Sequence, residues 1–210
     1  MSQKGPREKA ALAALHLAAD RRWSDITLSD VATASGLSLS DLYPMTGVEA
    51  LIPEIERHFD RAMSAEGVGS GDLDREKLFD VIMLRFEAME AHRAGSVSML
   101  SYIDANPVRR ASALYRRRNT ARWALVSAVL EASDNPLLSQ AAEVSLAWTI
   151  WQAEQAWMED TDKDFARTMA KLDKGLRDWE SRLDRLKNPF GMGKRRAPPG
   201  EPTSGTEPAD

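Results

Sequence analysis

TLSDVATASGLSLSDLYPMTGVEAL, residues 27–51, is the stretch that decides how the rest of the chain is read. Leu28, Val31 and Ala32 recur at helical spacing, Ser35-Gly36 interrupts them, and Leu39 with Leu42-Tyr43 resumes the pattern. The spacing predicts two short helices joined by a tight turn. Gly36 suits the position after the first helix, where a left-handed backbone penalises any side chain. Ser38 is placed to cap the second helix by accepting from an orphan N–H. This is the layout of a helix-turn-helix.

Outward from that stretch, residues 8–22 form an amphipathic helix with Ala11, Leu12, Leu15 and Ala18-Ala19 inward, and Trp23 and Ile26 close its end. Residues 1–7 read as a mobile arm carrying Lys4 and Arg7. Leu51, Ile55 and Phe59 start a connector helix, with Pro53 in its first turn, where a missing N–H is tolerated. EGVGSGDLD, residues 66–74, has no periodicity and reads as a linker. Beyond it, Leu78, Ile82, Phe86 and Met89 mark one face of a helix over 75–92. Asn106-Pro107 and Asp134-Asn135-Pro136 each place a cap before a proline, opening helices to about 132 and 159. Thr161 and Asp164 have capping-box spacing ahead of a last helix to about 187. Proline, glycine and charge from 191 onward predict disorder. The expected architecture is all-α: a helix-turn-helix domain over 1–65, a linker over 66–74, a larger helical domain over 75–190 and a disordered tail over 191–210. No solenoid repeat is evident.

Composition limits the functions this layout can serve. A 43% hydrophobic chain of 210 residues buries one sizeable core, or a small domain packed on a larger one. No apolar run approaches bilayer length, and MSQKGPREK lacks the apolar segment of a signal peptide, so a cytoplasmic location is expected. The absence of cysteine removes disulfides, thiolate catalysis and thiolate metal sites. His16, His58 and His92 have no metal-ligand spacing, and no serine sits in a nucleophile elbow. A non-enzyme without metal or cofactor is the expectation. The 28 basic and 32 acidic side chains leave a net charge of −4, unhelpful to a phosphate binder.

Trp23, Thr27-Leu28-Ser29-Asp30-Val31-Ala32, Gly36-Leu37-Ser38, Leu42-Tyr43 and Glu49-Ala50-Leu51 together resemble the DNA-binding end of the TetR family of transcriptional regulators. The resemblance implies a TetR-like fold, a homodimer paired through its last helices, double-stranded DNA as partner, and a hydrophobic effector held in the larger domain. Candidate DNA contacts are hydroxyls at Thr27, Ser38, Ser40 and Tyr43 and cations at Lys4, Arg7 and Lys9. Against that role, residues 26–56 contain no Lys, Arg or His. Where the family has an aromatic turn and a phosphate-gripping lysine, this chain has Pro44-Met45-Thr46 and Val48. Pro44 also disfavours a helical conformation at Tyr43, which shortens the second helix.

The larger half offers three further sets of residues. Phe86, Met89, Trp123, Trp148 and Trp151 are candidates to line an apolar ligand pocket, Trp148 and Trp151 being i, i+3 neighbours. Arg109, Arg110, Arg116, Arg117, Arg118 and Arg122 occupy a stretch without acids; a solvated face, or one paired with acids of the N-terminal domain, is expected. Phe165, Met169, Leu172, Leu176, Trp179 and Leu183 form a seam on the last helix, continued by Leu186 and Phe190. Eleven basic residues against five acidic ones over 163–196 give that region a charge near +6. A dimer helix, or a basic amphipathic helix resting on an anionic membrane, fits such a seam.

WTIWQAEQAWMEDTDKDFARTMAKLDKGL, residues 148–176, is in addition similar to the C-terminal part of the lipid-binding accessory protein of ubiquinone biosynthesis, through Asp160, Asp164-Phe165, Thr168 and Leu172, with LFDVIMLRFEAMEAHR at 78–93. This second resemblance implies a TetR-like fold that binds isoprenoid lipid and works at a membrane without reading DNA. The sequence therefore carries two readings: first a TetR-type regulator with a small hydrophobic effector, and in competition with it a membrane-associated lipid-binding accessory protein.

Overall fold

The structure is a computed structural model that describes residues 5–43, 45–64, 75–128, 135–161 and 164–187. Lys4, Pro44, the 66–74 linker, Phe190 and the 191–210 tail lie outside these residues. Among the described residues the chain is all-α, with eight helices: α1 (Pro6–Leu17), α2 (Leu28–Ser35), α3 (Ile52–Ala62), α4 (Arg75–Glu90), α5 (Arg93–Asp104), α6 (Pro107–Ser127), α7 (Pro136–Glu159) and α8 (Ala166–Lys187). Two single turns of 3-10 helix, Trp23–Asp25 and Val48–Leu51, lie between α1 and α2 and ahead of α3. None of the described helices is long and apolar enough to cross a membrane.

Local chemistry sets most of the helix ends. Thr27 and Asp30 close a reciprocal capping box on α2, and Gly36 takes the left-handed conformation (φ 68°) that ends it. The Asn106 and Asn135 side chains accept from the first N–H groups of α6 and α7, each ahead of a proline at the start of the helix. α8 begins differently from expectation. Asp160, not Thr161, accepts from both the backbone N–H and the hydroxyl of Thr168, each at 2.8 Å. α1 starts at Pro6, so Arg7 belongs to a helix and not to an arm.

α5 is not announced by apolar spacing, and it joins the two halves of the molecule. Gly95 sits so close to α1 that a Cβ there would lie 2.0 Å from the Leu15 carbonyl oxygen. Ser98 accepts from the Trp23 N–H at 3.0 Å and donates to the Arg21 carbonyl at 3.2 Å. The core runs from Ala10, Leu15 and Trp23 through Ile55 and Phe59 to Phe86, Ile150 and Trp157 as one cluster. The helix-turn-helix segment is thus one end of a continuous core.

A network of charges is buried where α3, α4, α6 and α7 meet. Arg85 of α4 donates to Asp60 of α3 at 2.9 Å and to Glu154 of α7 at 2.7 Å. Arg117 of α6 pairs with the other Glu154 oxygen, and Thr120 donates to Asp60 at 3.0 Å. Arg85, Arg117 and Glu154 are at most 2% exposed. Two guanidinium groups face two carboxylates, so the set is neutral. Around it, Arg116 pairs with Glu56 at 2.7 Å, and Arg118 and Arg122 pair with Glu143 at 3.3 and 2.9 Å. Arg109 stacks over the Tyr102 ring, 3.7 Å from its centroid. Most of the arginine-rich stretch of α6 is therefore matched by acids from α3 and α7 or by an aromatic face of α5.

Burial and attraction divide unevenly within this network. Burial pushes the Asp60 carboxyl above the usual carboxylate range, and the Arg85 charge with the Arg85 and Thr120 hydrogen bonds offsets only part of that. Burial alone would lower the Arg85 pKa, but Glu154 and Asp60 outweigh it and hold the guanidinium above its ordinary value. Removing the shared carboxylate leaves two buried cations facing Asp60 alone. Glu154→Gln is expected to cost about 3–5 kcal/mol in urea unfolding; a loss below about 1 kcal/mol contradicts the role given to the network.

The raised Asp60 pKa fixes the sign of a pH effect. The folded state holds the Asp60 proton at a pH where the unfolded chain, with an ordinary aspartate pKa of about 3.9, has lost it. Stability contributed by this group falls as pH rises through that window and is constant above it. The parent is therefore expected to gain stability relative to Asp60→Asn as pH is lowered from neutrality toward about 4, read from paired urea titrations. A difference that shrinks on acidification reverses the assignment.

Candidate ligand cleft and the helix-turn-helix segment

Ser38, expected as a cap, makes a second reciprocal capping box with Asp41. The Asp41 carboxylate accepts from the Ser38 N–H at 2.9 Å, and the Ser38 hydroxyl oxygen accepts from the Asp41 N–H at 3.2 Å. The helix expected to follow is not formed. Asp41, Leu42 and Tyr43 instead donate to the carbonyls three residues back, a run of turns that Met45 continues. This corrects the expectation of two helices. Its physical basis is local: Pro44 restrains Tyr43, and only Leu42 is buried between Ser38 and Tyr43.

The residues expected to meet DNA differ in exposure and in the bonds they already make. Arg7 and Lys9 are exposed on α1. Thr27 is engaged in the α2 cap, and Ser38 and Ser40 bond each other at 2.7 Å. Tyr43 is 87% exposed. Hydrogen bonds from the Ser38 hydroxyl and N–H hold the Asp41 carboxyl below its usual range, and those from Thr27 do the same for Asp30. Both therefore carry full negative charge on this surface at neutral pH. Glu54 and Glu56 belong elsewhere: both are buried, paired with arginines of α3 and α6.

The five residues expected to line one pocket do not do so. Phe86 and Met89 are core residues, whereas Trp123 and Trp148 are 40% and 41% exposed. Trp148 and Trp151 pack against each other, ring centroids 4.7 Å apart, on the outer side of α7. The α8 seam also departs from expectation. Leu172, Leu176, Trp179 and Leu183 are buried within the chain, and the Trp179 indole donates to the Ala142 carbonyl at 3.0 Å. α8 approaches α7 closely enough that a Cβ on Gly175 would come 2.6 Å from Thr149 Cγ2. These four seam residues are covered by the chain's own helices, not left open to a second chain or a membrane.

The two remaining seam residues lead to a different cavity. Phe165 and Met169 are only partly buried, and they line a cleft of about 640 Å³ with Phe79, Met83 and Leu84 of α4. Lys77, Asp80 and Glu87 of α4 and Asp164 also border it. Phe165 has positive φ (52°), unusual for a bulky side chain. Its neighbours fix it there: Asp160 is tied to Thr168 across the start of α8, and the Met169 N–H donates to the Phe165 carbonyl at 2.8 Å. Arg93 stacks on the Trp157 ring, 4.8 Å from its centroid, and donates to the Trp157 carbonyl at 3.1 Å, holding the end of α7. The lining is mixed, with apolar side chains from α4 and the start of α8 and four charged ones, Lys77, Asp80, Glu87 and Asp164.

Folding also brings together residues far apart in sequence. The His58 and His92 rings lie 6.0 Å apart, with His58 Nδ1 3.5 Å from Glu8 Oε1. No group of three or more His, Asp or Glu able to hold a metal occurs among the described residues. The chain matches no protein-family model and no curated protein.

Proposed function

We propose that this chain is a lipid-binding accessory protein of the ubiquinone-biosynthesis type, with a TetR-like fold that does not read DNA. The observation that carries this reading is the α4–α8 cleft. The two stretches resembling the accessory-protein family, 78–93 and 148–176, are separate in sequence. They meet at this cleft, one supplying Phe79, Met83 and Leu84 and the other Phe165 and Met169. About 640 Å³ is within the range of pockets that hold small ligands, and one isoprenoid segment is the ligand class proposed. The acidic, turn-wound segment after Gly36 supports the loss of DNA reading, since phosphate binding rests on cations and base reading on a helix in the major groove.

A TetR-type dimeric regulator is the second reading, supported by the α2 cap, the left-handed Gly36 and the packing of α1 against α2 and α3. It takes its DNA contacts from Lys4, Arg7 and Lys9, from the hydroxyls of Thr27, Ser38, Ser40 and Tyr43, and from backbone N–H groups.

The cleft is tested by titrating the full chain with a fluorescent isoprenoid analogue in vesicle-free buffer. Saturable binding is expected, weakened about tenfold or more by Met169→Asp, as loss of one apolar contact that the ligand would cover implies. Far-UV circular dichroism checks that the variant stays folded. No saturable binding by the parent, or equal binding by a folded variant, contradicts the proposal.

A further inference from the structure

A smaller cavity opens where the chain leaves the helix-turn-helix segment and meets the larger half. It has a volume of about 280 Å³ and lies between Glu49 of the second 3-10 turn, Ile52 at the start of α3, Ile103 of α5 and the N-terminal part of α6. It shares no lining residue with the α4–α8 cleft. Part of its lining is apolar. Ile52 and Ile103 are buried, whereas Val108, in the first turn of α6, leaves 75% of its surface uncovered. Its size is at the lower end for small-ligand pockets.

Charge distinguishes this cavity from a gap in packing. Arg109 lines it, half-buried, with its guanidinium stacked over the Tyr102 ring. Farther along α6, Arg116 finds Glu56, Arg117 finds Glu154, and Arg118 and Arg122 find Glu143. Arg109 pairs with no carboxylate among the described residues, and its Nε is shut off from solvent without a hydrogen-bond partner. An unpaired buried donor on a cation is costly, and an acceptor from outside the chain that reaches this guanidinium relieves the cost.

The neighbouring groups limit what that acceptor can be. Arg116 also lines the cavity, but Glu56 at 2.7 Å balances its charge. The Ser112 hydroxyl accepts from Arg116 at 3.0 Å and keeps its own proton to donate. The Glu49 carboxylate accepts from the Tyr102 hydroxyl. Asn106 already takes the first N–H groups of α6: its side chain accepts from Val108 and Arg109, and its carbonyl from Arg110. The helix end therefore offers no spare donor. One uncompensated guanidinium and one hydroxyl fit a planar, singly charged head with two oxygens. A phosphate dianion would set two charges against one free cation, with Glu49 and Glu56 close by.

We infer that this cavity binds a small carboxylate with a short apolar body, the carboxylate held by Arg109 and Ser112 and the body resting on Ile52, Ile103 and Val108. Bound there, the ligand touches α3, α5 and α6 together and ties the helix-turn-helix end to the larger half. The site is independent of the α4–α8 cleft and of what that cleft holds.

The test is a fluorine NMR titration of the full chain with para-fluorobenzoate. The uncharged counterpart is para-fluorobenzamide, and the dianion is para-fluorophenyl phosphate. Saturable binding of the benzoate is expected, with the amide weaker by about tenfold or more and the phosphate weaker than the benzoate. Arg109→Gln is expected to weaken the benzoate by about tenfold or more. Val108→Asp, an acid that the first turn of a helix tolerates, sets a like charge beside the carboxylate and is expected to weaken it as well. Neither position takes part in an ion pair, and far-UV circular dichroism checks that each variant is folded. No saturable binding by the parent, equal binding of the amide, tighter binding of the phosphate, or undiminished binding by the folded variants overturns the inference. Isoprenoid titration of Arg109→Gln separates this cavity from the cleft. Unchanged uptake is expected, whereas displacement of the benzoate by the isoprenoid analogue would move the benzoate to the α4–α8 cleft and overturn the site.

Discussion

Glu154 holds two arginines at the place where four helices meet, and much of the molecule follows from that arrangement. A carboxylate at 0% exposure is costly to bury without strong partners, and Arg85 and Arg117 are supplied by α4 and α6. Arg85 reaches on to Asp60, so the same charges fix α3, the helix that follows the helix-turn-helix segment. The network fills the middle of the bundle with polar atoms. The bundle's open space lies instead at the α4–α8 edge, where Phe165 and Met169 are left partly open.

Helix ends are legible in the sequence because their chemistry is local. Thr27 with Asp30, Gly36, Asn106-Pro107 and Asn135-Pro136 act within a turn of their own position, and each stands at a helix end. The Ser38–Asp41 box shows the limit of such signals: the cap is made, but the turns after it do not become a helix. α5 escapes a reading by periodicity because Gly95, Ser96, Ser98 and Ser101 dilute its apolar spacing. Its meaning lies in Gly95 against Leu15, a contact no pattern of residues announces.

The site residues are harder to place for a related reason. α7 is apolar on nearly every side, so spacing cannot say that Leu146, Ile150 and Trp157 turn inward and Trp148 outward. The α8 seam has the period of a helix-packing face, and that period is the same whether the partner is the next helix, a second chain or a lipid surface. Partner choice is a tertiary property. The arginine run of α6 is ambiguous in the same way, and it resolves only with Glu56, Glu143 and Glu154 opposite it.

The proposed lipid-binding reading, in which the 27–51 segment serves folding, has one direct consequence for DNA. The measurement is selection from a library of genomic DNA fragments by the purified full chain at low and at moderate salt. No sequence enrichment is expected at either salt, because Asp30, Asp41 and Glu49 oppose phosphate and, among the described residues, no helix follows Ser38 before α3 beyond a single 3-10 turn. Enrichment of a palindromic site, weakening as salt is raised, would contradict this and restore the regulator reading.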